Sequence, residues 1–258
     1  MRVRDLFDLT GKVAIVTGGA TGLGRQMAEA LAEMGAHLVL CSRKVERCRR
    51  VAAELSQQFG ITAIGLKCDV TQEGDVRAVV EQARAELGRI DILVNNAGRA
   101  WAAAPEALTL SDWQKVMDTN VTGAFLFAQA AGRVMIEQRR GKIINVASVA
   151  GLFGSPAEFM DAIAYNASKG ALIAFTRDLA CKWARYHINV NAIAPGWFPT
   201  HMSEWVLQHH GETIKSLIPL GRFGGPDDLK GTIVYLASNA SDYMTGQVLI
   251  IDGGLSVW

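Results

Sequence analysis

Thr17-Gly18-Gly19-Ala20-Thr21-Gly22-Leu23-Gly24 stands between an apolar run, Val13–Thr17, and a segment, Leu23–Met34, that places Leu23, Met27, Ala30, Leu31 and Met34 on one helical face. The stretch reads as strand, tight turn, helix. Glycine dominates such a turn where the backbone must bend sharply and come close to a pyrophosphate, while N–H groups of the following helix point at the phosphate oxygens. The spacing is G-x3-G-x-G rather than G-x-G-x-x-G, a variant of the commoner fingerprint. Taken alone, it also fits a strand-to-helix turn with no ligand. Gly18, Thr21, Gly22, Leu23 and Gly24 are the first candidates for nucleotide binding.

Working outward, short runs rich in Val, Ile and Leu recur at Val13–Thr17, His37–Cys41, Ala63–Leu66, Asp91–Val94, Lys142–Val146, Ile188–Ile193 and Gln247–Ile251. Several are apolar on successive residues, as strands buried on both faces are. Helix-length segments lie between them, including Val45–Phe59, Asp75–Leu87 and one from about Tyr165 to Tyr186. Gly225-Pro226-Asp227-Asp228 reads as a further helix start, with Pro in the first turn and acids facing the dipole. The alternation predicts an α/β, Rossmann-like, doubly wound parallel sheet of about seven strands with helices on both faces. No linker or repeat breaks the rhythm, so residues 1–258 read as one domain. The least regular stretch, about 196–225, holds Trp197, Trp205 and the His209-His210 pair and reads as a lid or binding element. The histidine pair reads as a solvated loop pair.

Composition narrows the functional classes. The 258 residues carry 26 basic and 25 acidic side chains, a net charge of +1, and half are hydrophobic. The mean hydropathy is +0.16. Near-neutrality argues against nucleic acid as a partner, because phosphate neutralisation needs a Lys/Arg excess. No run approaches the roughly 18 apolar residues of a membrane span, nor is there a signal-peptide core. Cys41, Cys48, Cys68 and Cys181 form no CxxC pair and read as reduced, buried thiols of a cytoplasmic protein. The five histidines make no HExxH or Cys/His cluster, so no metal site is expected.

The chemistry lies further along the chain. Tyr165 and Lys169, in Tyr165-Asn166-Ala167-Ser168-Lys169, are at i and i+4 and share a helix face. Ser148 follows the run Lys142–Val146, where ligands bind in open α/β sheets, although a serine there also suits a helix cap. Asn95-Asn96-Ala97-Gly98 follows another strand in the same way, or simply makes a turn. Together, Thr17–Gly24, Asn95–Gly98, Asn120, Ser148, Tyr165/Lys169 and Pro195-Gly196 occur in an order that resembles the short-chain dehydrogenase/reductase family. The resemblance runs through Asp252-Gly253-Gly254, so it covers nearly the whole chain. Gly22–Lys44 and Tyr165–Ile173 look most like the gluconate 5-dehydrogenase and sugar-acid dehydrogenase branch, with the 3-oxoacyl-carrier-protein reductases close behind.

That resemblance implies hydride transfer between a nicotinamide coenzyme and a small-molecule carbonyl or secondary alcohol. It makes Tyr165 the acid/base, Lys169 the charge that lowers the phenol's pKa, and Ser148 the hydrogen-bond partner of the reacting oxygen. It gives Asn120 a water linking Lys169 to solvent. It also assigns Asp69 and Val70 to the adenine, Asn96, Ala97 and Gly98 to the adenosine ribose, and Tyr165 and Lys169 to the nicotinamide ribose. Pro195, Gly196 and Thr200 fall to the nicotinamide. One departure concerns specificity: sixteen residues, 149–164, separate Ser148 from Tyr165 where much of the family has twelve, and this second loop borders the carbonyl site. Arg99, Trp101, Phe153, Glu158, Trp197 and His201 are candidates for substrate contact.

NAD-binding folds place Asp or Glu about twenty residues past the glycines. Here Leu40-Cys41-Ser42-Arg43-Lys44 offers no acid, and Ser42 and Arg43 suit the 2′-phosphate of NADP(H), which is expected over NAD(H). The alternative is that Ser42 caps the next helix and Arg43 faces solvent. A serine hydrolase is disfavoured, since no serine has glycine at both −2 and +2. A nucleotide-sensing protein without chemistry is disfavoured because Asn120, Ser148, Tyr165 and Lys169 are all present. The apolar stretches Asn120–Glu137 and Gln247–Ile251, with Leu255 and Trp258, suit isologous packing, and the family resemblance points to a homotetramer.

Overall fold

The computed structural model describes residues 2–157 and 159–257. Its centre is a parallel sheet of β1 (Val13–Thr17), β2 (His37–Ser42), β3 (Ala63–Lys67), β4 (Ile92–Asn95), β5 (Gly141–Val146), β6 (Ile188–Pro195) and β7 (Val248–Ile251). The spatial order is β3-β2-β1-β4-β5-β6-β7, and every pairing is parallel. Side chains alternate across the pleat. Ala14 and Val16 of β1 enter one core with Leu38 and Leu40, while Val13 and Ile15 enter the other with Val39 and Cys41. This explains why the central strands are apolar on successive residues, as Val13–Val16 and Ile92–Val94 are: both faces are covered. The two edge strands, β3 and β7, are mostly half-buried.

Helices supply both covers. α2 (Gly22–Glu33), α3 (Val45–Phe59) and α9 (Lys230–Ala237) pack on the first face; α4 (Glu73–Leu87), α6 (Gly123–Gln138) and α7 (Ile163–Trp183) pack on the second. A short α1 (Val3–Leu6) precedes the sheet, α5 (Leu110–Met117) leads into α6, and α8 (Glu204–Ser216) follows β6. Strand order reverses between β1 and β4, which opens a crevice at their carboxyl ends.

The amino ends of the strands are held by ion pairs. Asp91, 4% exposed, accepts from Val13 N at 3.0 Å and from Arg89 at 2.7 and 2.6 Å. Lys142 in β5, equally buried, meets Asp242 at 2.8 Å and Ser241 Oγ at 3.2 Å. Burial lowers the Lys142 pKa, and the Asp242 carboxylate opposes that shift.

Several expectations need correction. Stretch 196–225 is not irregular throughout, because α8 occupies its middle; His209 and His210 lie on that helix, not in a loop. Gly225–Asp228 does not begin a helix. Asp228 turns back to accept from Gly225 N at 2.6 Å and from Arg222 at 2.5 and 3.0 Å, and α9 starts only at Lys230. This pairing holds the Asp228 carboxyl at about 2, through Arg222 first. Cys41, Cys48 and Cys68 are buried thiols as expected, but Cys181 is exposed. The periodic reading also passed over α5, α6 and the π-helical turn Asp118–Thr122 between them.

Candidate active site

The glycine turn is shaped by close approach. Gly18 and Gly22 sit at φ +63° and +51°, where side chains are strained. A Cβ on Gly24 would run into the Gly18 carbonyl and the Asn96 amide. The turn is tied from below: Thr17 Oγ1 accepts from Asn96 N and Ala97 N, both at 2.9 Å, and Asn96 Nδ2 donates to Thr17 O at 2.9 Å and Gly18 O at 3.3 Å. Asn96 therefore spends its side chain on the turn. Thr17 is a residue that sequence reasoning missed as an organiser; its place at the end of β1 was the available signal. The α2 N-terminus has no side-chain cap from Thr21 and no acid in its first turn, so its N–H groups stay open to an anion. Thr200, from the segment after β6, reaches within 3.4 Å of the position a Gly22 Cβ would take.

At the end of β2, Ser42 Oγ accepts from Lys44 N at 3.2 Å and lies 3.1 Å from Cys48 Sγ. Ser42 does not cap α3, whose N-cap is Lys44 with no side-chain cap; its hydroxyl instead holds the Lys44 backbone just before the helix. Arg43 is exposed and makes no ion pair among the described residues. Its nearest charged influence is on Asp69. Burial raises the Asp69 pKa, but hydrogen bonds from Thr71 and the Arg43 charge bring it below its ordinary value. Val70 is buried and packs on Gly123, forming floor rather than wall.

The chemical end is built on α7. Lys169, 4% exposed, donates to the Val146 carbonyl at the end of β5, at 2.7 Å. Its ammonium lies 5.4 Å from the Tyr165 ring centre, one helical turn earlier. Desolvation lowers the Lys169 pKa from 10.5 to about 8. Tyr165 moves the other way from the sequence expectation: burial raises it above 10.0, and only a hydrogen bond with Ser148 opposes that. Desolvation of a phenolate outweighs one neutral donor. Ser148 also accepts from Ala150 N at 3.1 Å, so it is both a cap for the turn Val149–Gly151 and the partner of Tyr165. Gly151 is needed because a Cβ there would lie 2.6–2.8 Å from the Lys169 and Gly170 backbone. The turn carrying Ser148 rests directly on the helix carrying Tyr165.

Asn120, in the π-helical turn, is fully engaged. Its Oδ1 accepts from Arg99 N at 2.8 Å, and its Nδ2 donates to Arg99 O and Ser168 Oγ, each at 2.9 Å. Ser168, wholly buried, donates in turn to Tyr165 O at 2.7 Å. It was also missed, although its place between Tyr165 and Lys169 was visible. Gly98 lies where a Cβ would be 3.4 Å from Asn120 Oδ1 and 3.8 Å from Lys169 Nζ. Pro195 is buried at the end of β6, and Gly196 N donates to Ile251 O at 2.9 Å. Among the suggested substrate contacts, Trp101 and Phe153 are 43% and 41% exposed. His201 projects into solvent beside Glu204, the Arg99 charge acts on Asp112, and Glu158 lies outside the described residues. The crevice thus joins an open helix N-terminus, an exposed guanidinium, and a half-buried Tyr165 between buried Lys169 and Ser148, which fits a dinucleotide and a reacting oxygen. No cluster of three or more metal-ligating side chains occurs among the described residues, and no described helix is long and apolar enough to cross a membrane.

Residues 18–256 match a family model described as Enoyl-(Acyl carrier protein) reductase. The chain is 41% identical over 253 residues to an NAD-dependent glycerol dehydrogenase of Listeria innocua, covering 97% of this chain and 96% of that one. A crystal structure of a short-chain type dehydrogenase/reductase from Mycobacterium marinum superposes with a TM-score of 0.95 at 41% identity, covering 100% of both chains. A gluconate 5-dehydrogenase from Burkholderia cenocepacia, in complex with NADP and tartrate, superposes with a TM-score of 0.94 at 37% identity, again over 100% of both chains.

The buried lysine gives a stability test. Its folded pKa is depressed, so below about 8 both states carry the proton and the native state bears the cost of a desolvated charge. Between 8 and 10.5 the unfolded chain binds the extra proton, and stability rises with pH. Lys169→Met should unfold at higher urea at pH 7, by about 2 kcal/mol after loss of one hydrogen bond. The gain should fade as pH climbs from 8 towards 10.5. A variant less stable than wild type at pH 7 contradicts this.

Proposed function

The chain belongs to the short-chain dehydrogenase/reductase family, close to its gluconate and sugar-acid 5-dehydrogenase members, and is an NAD(P)(H)-dependent oxidoreductase of carbonyl and alcohol groups; from that premise we propose that it interconverts a sugar acid or polyol with its ketone, preferring NADP(H). The observation that carries the chemistry is the convergence of Ser148, Tyr165 and Lys169 at the carboxyl end of β5.

When bound, the nicotinamide supplies or accepts the hydride. In the reductive direction the Tyr165 hydroxyl gives its proton to the substrate oxygen as charge develops there, and Ser148 donates a hydrogen bond to the same oxygen. Burial disfavours the Tyr165 phenolate, which suits the acid role of the phenol. For oxidation the phenol must lose its proton, and the Lys169 charge favours the phenolate. Asn120 holds the Arg99 backbone and Ser168, steadying the helix turn beneath Tyr165; a water link from Lys169 to solvent belongs to the same reading. Gly18, Thr21, Gly22, Leu23 and Gly24 would hold the pyrophosphate, Asp69 and Val70 the adenine, and Asn96, Ala97 and Gly98 its ribose. Pro195, Gly196 and Thr200 would hold the nicotinamide. Arg99 is the natural partner for a substrate carboxylate.

The sugar-acid reading draws on the relatives above, which are named for gluconate and glycerol. The alternative is a 3-oxoacyl thioester, the substrate class for which a 3-oxoacyl-[acyl-carrier-protein] reductase of Aquifex aeolicus, 36% identical over 247 residues, is named. A coenzyme-absorbance screen across sugar acids, polyols, simple ketones and 3-oxoacyl thioesters separates them; a higher kcat/KM for the thioester replaces the first reading with the second. Tyr165→Phe removes only the hydroxyl, so coenzyme binding should persist while kcat drops by about two orders of magnitude or more. Retention of more than about a tenth of kcat would mean another group transfers the proton.

For the coenzyme, the exposed Arg43 and the absence of an acid at the end of β2 support a 2′-phosphate, which a guanidinium grips with two hydrogen bonds. Arg43→Ala should raise KM for NADPH about tenfold, the worth of one charge-assisted contact, and leave NADH nearly untouched. Equal effects on both coenzymes, or a wild-type preference for NADH, refute the assignment. Exposed Phe125 on α6 and Ile250 on β7 suit self-packing, and we read the assembly as a homotetramer. Light scattering at micromolar protein should return four times the 27.8 kDa chain mass. A monomer would exclude it. Trp258 lies outside the described residues.

A further inference from the structure

Between Ser148 and Tyr165 lie the turn Val149–Gly151, a long loop and the first residues of α7. That loop is tethered near its middle and its end: Asn166 Nδ2 reaches Ser155 Oγ at 3.4 Å, and Ala103 N donates to Asp161 O at 2.8 Å. Between these tethers, turns on Pro156 set Phe159 to one side, where it is half-buried. Its ring meets His210 edge-on, with centroids 5.9 Å apart and planes at 61°. His210 is on α8, whose start follows closely on Thr200 and is pinned through Ser203, which donates to Phe198 O at 2.6 Å. The aromatic contact continues along α8: Trp205 lies 6.1 Å from His210 and stacks on His209 at 4.2 Å.

This contact joins two walls that the sequence keeps 51 residues apart. One wall carries the groups proposed to meet the reacting oxygen, and the other follows the segment proposed to meet the nicotinamide. We propose that Phe159 and His210 form a latch across the mouth of the cleft, holding α8 against the long loop so that the cleft admits compact polar substrates and excludes bulky ones. The inference rests on the proposed carbonyl/alcohol chemistry at Tyr165. An edge-on aromatic pair requires both rings, so truncating either one widens the mouth without touching the reacting groups. Both are specificity-determining residues for the reaction, acting through the position of α8.

The test compares wild type, Phe159→Ala, His210→Ala, the double variant and His210→Phe, with 5-ketogluconate as the compact substrate and an aryl alkyl ketone as the bulky one. Each alanine variant should raise KM for 5-ketogluconate about threefold to tenfold with kcat little changed, and should shift selectivity towards the bulky ketone by a similar factor. The double variant should match the singles, because all three lose the same contact. His210→Phe, which restores an edge-on pair, should keep wild-type KM. Hydrogen exchange gives a reading independent of turnover: His210→Ala should speed exchange in residues 152–162, on the other wall. Unchanged KM and selectivity, additive effects in the double variant, or loop exchange indifferent to His210→Ala would each overturn the latch. Wild-type protein inactive on every carbonyl would instead sink the proposed chemistry, and hydrogen exchange would still decide whether the latch exists.

Discussion

A buried ammonium needs a partner, and the hydrogen bond from Lys169 to the Val146 carbonyl fixes much of what surrounds it. It sets the height of α7 against the end of β5, and so places Tyr165 one turn away. The same backbone receives Gly151, which brings Ser148 onto the phenol. Ser168, between the two, passes the constraint to Asn120, and Asn120 passes it to the Arg99 backbone beside Gly98. From there the Asn95–Gly98 segment is tied to the glycine turn through Thr17 and Asn96. One chain of short polar contacts therefore runs from the chemical end of the crevice to its phosphate end. Few of its members are free to move alone.

The two ends of the sheet solve opposite problems. At the amino end, charges are paired and closed: Asp91 with Arg89 and Lys12, Lys142 with Asp242. At the carboxyl end, the donors are left open: the α2 N-terminus carries no cap and no acid, and Arg43 has no ion-pair partner among the described residues. Open donors are unfavourable for stability alone and suit a chain that binds an anion there. Lys169 carries a similar cost, since its desolvation is not offset by a carboxylate. The stability lost at these positions is supplied by the two apolar cores, which are continuous through the central strands.

Local sequence determined the sheet and the glycine turn. Doubly covered strands run apolar on successive residues, and a backbone at positive φ pressed against its neighbours favours glycine, so Val13–Thr17 and Gly18–Gly24 were legible without coordinates. The i, i+4 spacing of Tyr165 and Lys169 was legible for the same reason, because one helix fixes it. Tertiary structure decided the rest. That α8 is a helix was hidden because only Ile214 of it is buried, so the apolar face that marks a helix in sequence is weak. Gly225–Asp228 looked like a helix start until Arg222 captured Asp228. The direction of the Tyr165 shift and the spending of Asn96 on the turn depend on how closely distant segments pack. The contact of Phe159 with His210 is of the same kind. Burial and long-range contact are properties of the folded chain, and spacing along the sequence does not encode them.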